Sequence, residues 1–481
     1  MAYVSMKILI VCGLATLVAY WYISARTEAK GRANFARQHG CQPIKNNLRG
    51  KWPLSLDLLK VQYAAAQRNQ LFDFLQPYFD KYGPTFSINI VGEGLCTIDP
   101  ANVEAITISK FDDWGLGTRR RGVFPFIGEG IFSQDGHAWK QSRDLIRKHS
   151  DARGTVDLAP AFFSFTLGTT TDLLFGESLD TLSRDDQKDF SNSFDHATKV
   201  TALRLRLAEL CWVYTPPSFM KSCRTVKKFA SHFVRRALAC QKQQGNAAKR
   251  QYSFILDLYE KINSQFLVSD QLVNVLLAGR DTTAASLTWT FFHLLRNPEK
   301  LQRLKREIDS VTQGDSGITK QHIQQMPYLS AVWTEILRLY PQIPMNVRFA
   351  TRHTWLPKGG GPDGEMPIFV PKHSGCGISV YHMHRRKDLY GEDANGFRPE
   401  RWLSGELKDI KYGYMPFWHG QRICLGKDFA TLEASYLIVR LLQAYPDMHL
   451  PQDHAILQPG KEKQDVGIVV ASTEGCKVVL R

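Results

Sequence analysis

The chain is poor in the patterns by which small modules declare their chemistry. It holds nine cysteines in 481 residues, and no two stand as C-x-x-C. Zinc modules need ligand pairs at such spacing, and disulfide-stapled secreted domains need a denser framework, so neither class fits. The scattered thiols suit a reducing compartment for the main body. No basic run is interleaved with aromatics, so nucleic acid is the poorest match to the formal net charge of +15. A membrane surface or an acidic protein partner fits that charge better, and much of it suits plain solvated surface. No internal repeat is visible, and no flavin or nicotinamide module. Apart from one run at the start, no segment is long and apolar enough to span a bilayer.

That run is Val4 to Ile23, with Lys7 its only charge. About 20 such residues can cross a bilayer as one helix. Trp21 and Tyr22 stand at its end, where interfacial aromatics gather, and Arg26, Lys30, Arg32 and Arg37 follow. A cleaved signal peptide carries its basic flank before the apolar core. Here the flank comes after, so the run reads as a retained anchor with the main domain on the cytosolic side. The expected organisation is an anchor over residues 1–25, a linker and basic flank over 26–53, and one large domain over 54–481.

Within that domain, Leu54 to Tyr82 has helical apolar spacing, with Leu58, Leu71, Phe72, Leu75 and Phe79 as candidate core. Two short strands flank Gly92-Glu93-Gly94, and Asp99-Pro100 is a helix start. Trp114 to Gly130 reads as a long loop, and Phe162 to Tyr259 as helices broken at Pro216-Pro217. Strand-like pieces occupy Pro344 to Pro371. A terminal hairpin is expected between Gly467–Val470 and Lys477–Leu480. The sum is mainly helix with a small β portion.

The most specific feature is Phe417-Trp418-His419-Gly420-Gln421-Arg422-Ile423-Cys424-Leu425-Gly426. A lone cysteine is usually a small buried hydrophobe. This one sits between two glycines, with Arg422 two residues before it and Phe417 seven before. A thiolate is a strong electron-donating ligand to haem iron, and glycines let backbone N–H groups approach it. Other constellations are weak singly. Ala278-Gly279-Arg280-Asp281-Thr282-Thr283 puts Gly and two threonines inside a helix over 270–295, a costly choice that suggests a kinked groove and an acid–alcohol proton relay. The bland alternative is a packing glycine with polar neighbours in solvent. Glu335 and Arg338 share a helix face, and Arg401 could join them. On most helices such a pair is a solvated one. Trp139 and Arg143 lie one turn apart and could meet a carboxylate, or could be ordinary packing with a solvated charge.

In order along the chain these motifs resemble those of the cytochrome P450 superfamily. The stretches Leu276 to Ser286, Pro357 to Gly364, Ser379 to Trp402 and Arg422 to Ala434 resemble its fungal group that hydroxylates n-alkanes and fatty acids at or near the chain end. The resemblance implies a helical prism with a small β side, haem b with Cys424 as axial thiolate, and a monooxygenase using O2. It implies that Trp139, Arg143, Arg348 and Arg422 bind haem propionates, with Phe417 and Gly426 shaping the loop. Asp281 and Thr282 would serve oxygen activation, and Glu335, Arg338 and Arg401 would support the haem loop. Leu203, Leu205, Phe124, Phe126 and Val470 are implied pocket liners. The implied partners are NADPH-cytochrome P450 reductase, which is typically acidic, membrane lipid and a small hydrophobic substrate. Cytochrome b5 is admitted as a second donor, and the implied site is the endoplasmic reticulum membrane.

Two departures stand out. Trp418 and His419 replace the small residues usual there, and are expected to crowd the proximal face or alter the reductase's approach. After Arg147-Lys148-His149-Ser150, only Asp151 to Thr155 precede Val156, where the resembled group has roughly two to three dozen residues and a helix. Losing a helix costs more than a marginal fold can spare. A haem-binding membrane protein with impaired turnover therefore stays open, and a fungal secondary-metabolite hydroxylase of the same superfamily is a separate alternative. A haem-thiolate isomerase or dehydratase often lacks the acid–alcohol pair, so Asp281-Thr282 argues against it.

Overall fold

A computed structural model describes residues 2–89, 93–128, 158–176, 184–313, 317–450, 460 and 462–479. Its long helices are α1 (Ala2–Gln38), α2 (Leu158–Phe175), α3 (Arg184–Leu207), α4 (Pro217–Gln244), α5 (Lys249–Ile262), α6 (Gln265–Arg296), α7 (Pro298–Thr312), α8 (Pro327–Leu339) and α9 (Lys427–Ala444). Its strands are β1 (Asn47–Arg49), β2 (Thr85–Asn89), β3 (Glu93–Thr97), β4 (Trp114–Gly115), β5 (Met345–Ala350), β6 (Thr354–Gly360), β7 (Met366–Val370), β8 (Gly375–Ser379), β9 (Gln464–Val466) and β10 (Val470–Ser472). Six strands form one sheet in the order β1-β2-β3-β8-β5-β4, and β6-β7 and β9-β10 are separate hairpins. The architecture is mainly α with a small β portion.

Among the described residues no helix is long and apolar enough to cross a membrane. The run Val4 to Ile23 falls on the first part of α1, whose side chains are described from Ala19 onward. The basic flank is not a separate loop: it continues α1 to Gln38. There Phe35 packs on Phe369 at 5.6 Å between ring centroids, and His39 stacks on Trp355 at 5.6 Å. The end of α1 is thus seated on the β6–β7 hairpin.

Helix α6 runs through the centre. Every residue from Thr283 to Leu295 is buried, as expected of a helix with protein on all sides. Its hydroxyls are satisfied internally: Thr288 donates to Ala284 O and Thr290 to Ser286 O, while Trp289 Nε1 donates to Val470 O. Helix α6 is unbroken from Gln265 to Arg296 and runs through Gly279. Gly279 serves close packing. A Cβ there would lie 2.6 Å from Thr170 Oγ1 on α2.

Other expectations hold or shift locally. Leu58, Leu71, Phe72, Leu75 and Phe79 are all buried, but the first helix of that stretch stops at Gln67, where Asn69 turns left-handed. Strands β2 and β3 pair antiparallel, Thr85 opposite Thr97. Asp99 caps the helix beginning at Pro100, accepting from the Ala101 and Asn102 amides. The expected loop at Trp114 to Gly130 instead contains β4 and a helix over Arg119–Ile127 with Pro125 inside it. Proline removes the donor for the carbonyl four residues back. That carbonyl, Arg121 O, accepts from Arg204 Nη2, and Gly122 O accepts from Arg204 Nε. A buried guanidinium from α3 therefore stands in for the missing bond. The C-terminal hairpin is shifted: β9 pairs with β10, Val466 opposite Val470, and Val479 bridges to His449.

Candidate active site around Cys424

The loop before α9 is built on one non-negotiable glycine. Gly420 has φ +69, and a Cβ there would lie 1.8 Å from Thr107 O. Gly426 is different: its φ is −86, and the nearest neighbour of an added Cβ is Cys424 Sγ at 3.9 Å. Only Gly420 is demanded by backbone conformation; Gly426 leaves room beside sulfur. Cys424 N–H donates to Phe417 O at 2.9 Å and Ile423 N–H to Gly420 O at 3.1 Å, closing the loop on itself. Cys424 is exposed, whereas Cys96 and Cys376 are buried and their thiols pushed by burial up to about 12 and well above the usual range. Helix α9 begins three residues after Cys424, and the positive end of a helix favours a thiolate near it.

Trp418 and His419 take up defined places. Trp418 is carried into the core at 8% exposure, in the cluster with Met415, Ile106 and Trp114. It holds a left-handed φ of +61. His419 Nε2 lies 2.9 Å from Tyr414 O, to which it must donate, and its ring stands edge-on to Tyr412.

Behind the loop lies a buried ionic cluster. Glu335 and Arg338, both on α8, form a two-pronged pair, with Arg338 Nε and Nη2 donating to the carboxylate oxygens at 2.8 Å. Arg401 Nε donates to Glu335 Oε1 at 3.1 Å, the Arg398 amide at 2.9 Å, and Trp402 Nε1 to Oε2 at 2.9 Å. Glu335, Arg338 and Arg401 are all fully buried. Burial pushes the Glu335 carboxyl up, but the hydrogen bonds and charges of Arg338 and Arg401 overcome it and hold the group below its usual value. The remaining guanidinium donors reach backbone: Arg338 to His384 O, Ala394 O and Gly396 O, and Arg401 to Tyr390 O.

His384 couples this cluster to the loop, and sequence reasoning missed it. Its Nδ1 donates to Arg338 O at 3.0 Å, and its Nε2 accepts the Met415 amide at 2.9 Å. That pattern requires a neutral ring, and burial pushes its pKa down to about 3. In the sequence His384 stands directly before Arg385-Arg386-Lys387, a charged run that points to a solvated position rather than a buried one.

On α6, Thr282 Oγ1 donates back to Ala278 O at 2.7 Å. Asp281 is buried beside Arg280 at 3.3 Å, and Arg280 also pairs with Asp195 at 2.6 Å. Burial pushes the Asp281 carboxyl up to about 6, against the lowering effect of Arg280. The next residue, Thr283, lies close enough to Glu433 on α9 to hold its carboxyl down, and Glu433 accepts from Thr169 Oγ1 at 2.6 Å. Glu433 was another residue that sequence reasoning missed. It ties the helix after Cys424 to α2, beside the acid–alcohol segment of α6.

Arg348, on β5, donates to Asn346 Oδ1 and Val347 O, each at 3.0 Å, and lies over the Trp418 ring. Arg422 lies 5.9 Å from the Phe111 ring centroid, and Phe417 packs partly buried against the main core. Trp139 and Arg143, and the shortened stretch near Asp151, lie outside the described residues. Of the implied pocket liners, Val470 and Phe126 are fully buried, Leu203 and Leu205 partly so, and Phe124 is exposed.

The cytochrome P450 family model matches residues 144–473. A cytochrome P450 of Arthroderma benhamiae is 36% identical over 510 positions, covering 99% of both chains. Cytochrome P450 52A13 of Debaryomyces hansenii is 35% identical over 97% of this chain and 96% of its own, and cytochrome P450 52A5 of Candida maltosa is 38% identical over 76% and 77%. The 510-position alignment is longer than this chain, so at least 29 of its positions are gaps here. By family match and by relatives of this identity and coverage, the chain belongs to the cytochrome P450 family, an oxidoreductase family of monooxygenases.

Proposed function

We propose that the chain hydroxylates a linear alkane or fatty acid at or near its end, with Cys424 as the axial ligand of haem b. The observation that carries the reading is the Cys424 loop, an exposed thiol on a self-closed turn ahead of α9. Haem b with a cysteine thiolate is the cofactor of this family. The residues present fit it: the thiol is the right donor, Gly426 leaves room beside Sγ, and Trp418 Nε1 is a buried donor without a partner among the described residues. Arg348 and Arg422 would hold the propionates, together with Trp139 and Arg143. When bound, haem supplies the binding and activation of O2.

The overall balance takes one oxygen atom into the C–H bond and releases the other as water, consuming two electrons and two protons. The chain's own residues handle protons. Asp281, held by Arg280 at the flank of α6, would accept a proton from solvent and release it beside Thr282, whose hydroxyl can pass it on. The Glu335–Arg338–Arg401 cluster and His384 would hold the loop in register. The family relies on a redox partner for electrons. NADPH-cytochrome P450 reductase is the proposed one, cytochrome b5 a further donor, and the net charge of +15 suits steering toward an acidic surface. The composition of Val4 to Ile23 supports an anchor over residues 1–25 in the endoplasmic reticulum membrane, with residues 54–481 in the cytosol.

The reduced, carbon monoxide-bound protein is expected to give the thiolate-haem Soret band, lost in Cys424→Ala. Dodecane and lauric acid are expected to give type I spectral shifts. A response to a bulky steroid alone would overturn the linear-chain assignment. A second reading, haem binding without turnover, draws on the gaps in the alignment. It predicts the Soret band with no product from any substrate.

A further inference from the structure

Trp418 is strained, buried and unsatisfied at once. It holds φ +61 without being glycine, is 8% exposed, and its Nε1–H has no hydrogen-bond partner among the described residues. Buried donors are nearly always paired, and non-glycine residues keep left-handed backbone only where the surroundings demand it. The missing partner must be an acceptor, and its charge can be read from the neighbours. The Arg348 guanidinium lies 5.6 Å from the Trp418 ring centroid. Arg348 and Arg119 both donate to one neutral oxygen, Asn346 Oδ1, at 3.0 and 2.6 Å. Trp114 stands directly opposite Ala350 across β4–β5, so it shares a sheet face with Arg348, two residues along β5. Its Nε1 is likewise buried and has no hydrogen-bond partner among the described residues. Two orphaned indole donors thus border a pair of guanidiniums, which is a seat for an anion with more than one oxygen.

We propose that Trp418 Nε1–H donates to a carboxylate of the bound haem, beside Arg348. The inference rests on haem occupying the Cys424 loop, as stated above. It gives the unusual Trp418 a positive role as a cofactor-positioning residue.

The test replaces the N–H without changing shape: Trp418→benzothienylalanine, introduced at that site alone, with Trp418→Phe as a second variant. Full-length proteins are loaded with haem or with haem dimethyl ester, whose carboxylates are masked, and the rate of transfer to apomyoglobin is measured. The variants should lose haem roughly tenfold faster than the wild type, the effect of one charge-assisted hydrogen bond. With the dimethyl ester, the difference between variant and wild type should vanish. Equal loss rates with haem, or the same acceleration with haem and ester, overturn the proposal, because packing alone would act on both. A wild type without the thiolate-haem band overturns the underlying reading and this one together. A wild type with the band but unaltered variants overturns this one only.

Discussion

Thr169 Oγ1 donates to Glu433 Oε1 at 2.6 Å, joining α2 to the helix that follows Cys424. Thr283 approaches the same carboxyl from α6, so a single acid stands where three helices meet. Burial pushes it up to about 7, against an ordinary 4.5, despite the two hydroxyls.

A raised carboxylate favours the folded state while it is protonated. Its contribution is complete below about pH 4.5, falls as pH rises, and is gone above about 7. The loss is roughly 3 kcal/mol. Urea unfolding of the holoprotein at pH 5 and pH 8 should show this decline, and Glu433→Gln should flatten it and be the more stable protein at pH 8. Parallel pH profiles for the two would refute it.

The Asp281 carboxyl, raised to about 6, carries its proton below that value and gives it up above. If it feeds Thr282, product formed per NADPH consumed should fall as pH rises through about 6. Asp281→Asn should remove that inflection and slow turnover by about a hundredfold, the scale of one lost acid–base group. An unchanged profile in Asp281→Asn would exclude the relay.

Removing Arg401 leaves Glu335 with less compensation inside a fully buried cluster. Breaking such a group costs roughly 3–5 kcal/mol. Arg401→Ala should therefore yield little holoprotein, and Arg338→Lys should behave similarly, because lysine cannot supply the two-pronged geometry. Thermal unfolding followed by circular dichroism checks both.

The two loop glycines should separate cleanly. Gly420→Ala combines a left-handed backbone with an approach of 1.8 Å to Thr107 O and should abolish haem incorporation. Gly426→Ala meets nothing closer than 3.9 Å and should fold, with its effect confined to the Soret position through contact with sulfur. Comparable yields of the two holoproteins would contradict this assignment.

Legibility in the sequence followed the range of the interaction. The Cys424 loop reads directly because its turn is local, and Glu335 with Arg338 because i,i+3 spacing defines a helix face. The Arg119–Ile127 helix did not read as a helix. Glycine, arginine and proline argue for a loop, and the compensating Arg204 lies on another helix, more than seventy residues on. His384 and Glu433 carried no spacing signal, since their meaning lies in partners brought close only by folding.

By itself, the sequence determined the family, the mainly helical class and the cysteine expected to hold iron, since these rest on contiguous motifs and local backbone rules. Tertiary structure decided what surrounds that cysteine. It drew Trp418 into the core beside Arg348, packed Gly279 against Thr170, and set Glu433 against Thr283. Each depends on burial, and burial is a property of the packed chain rather than of any one segment of it.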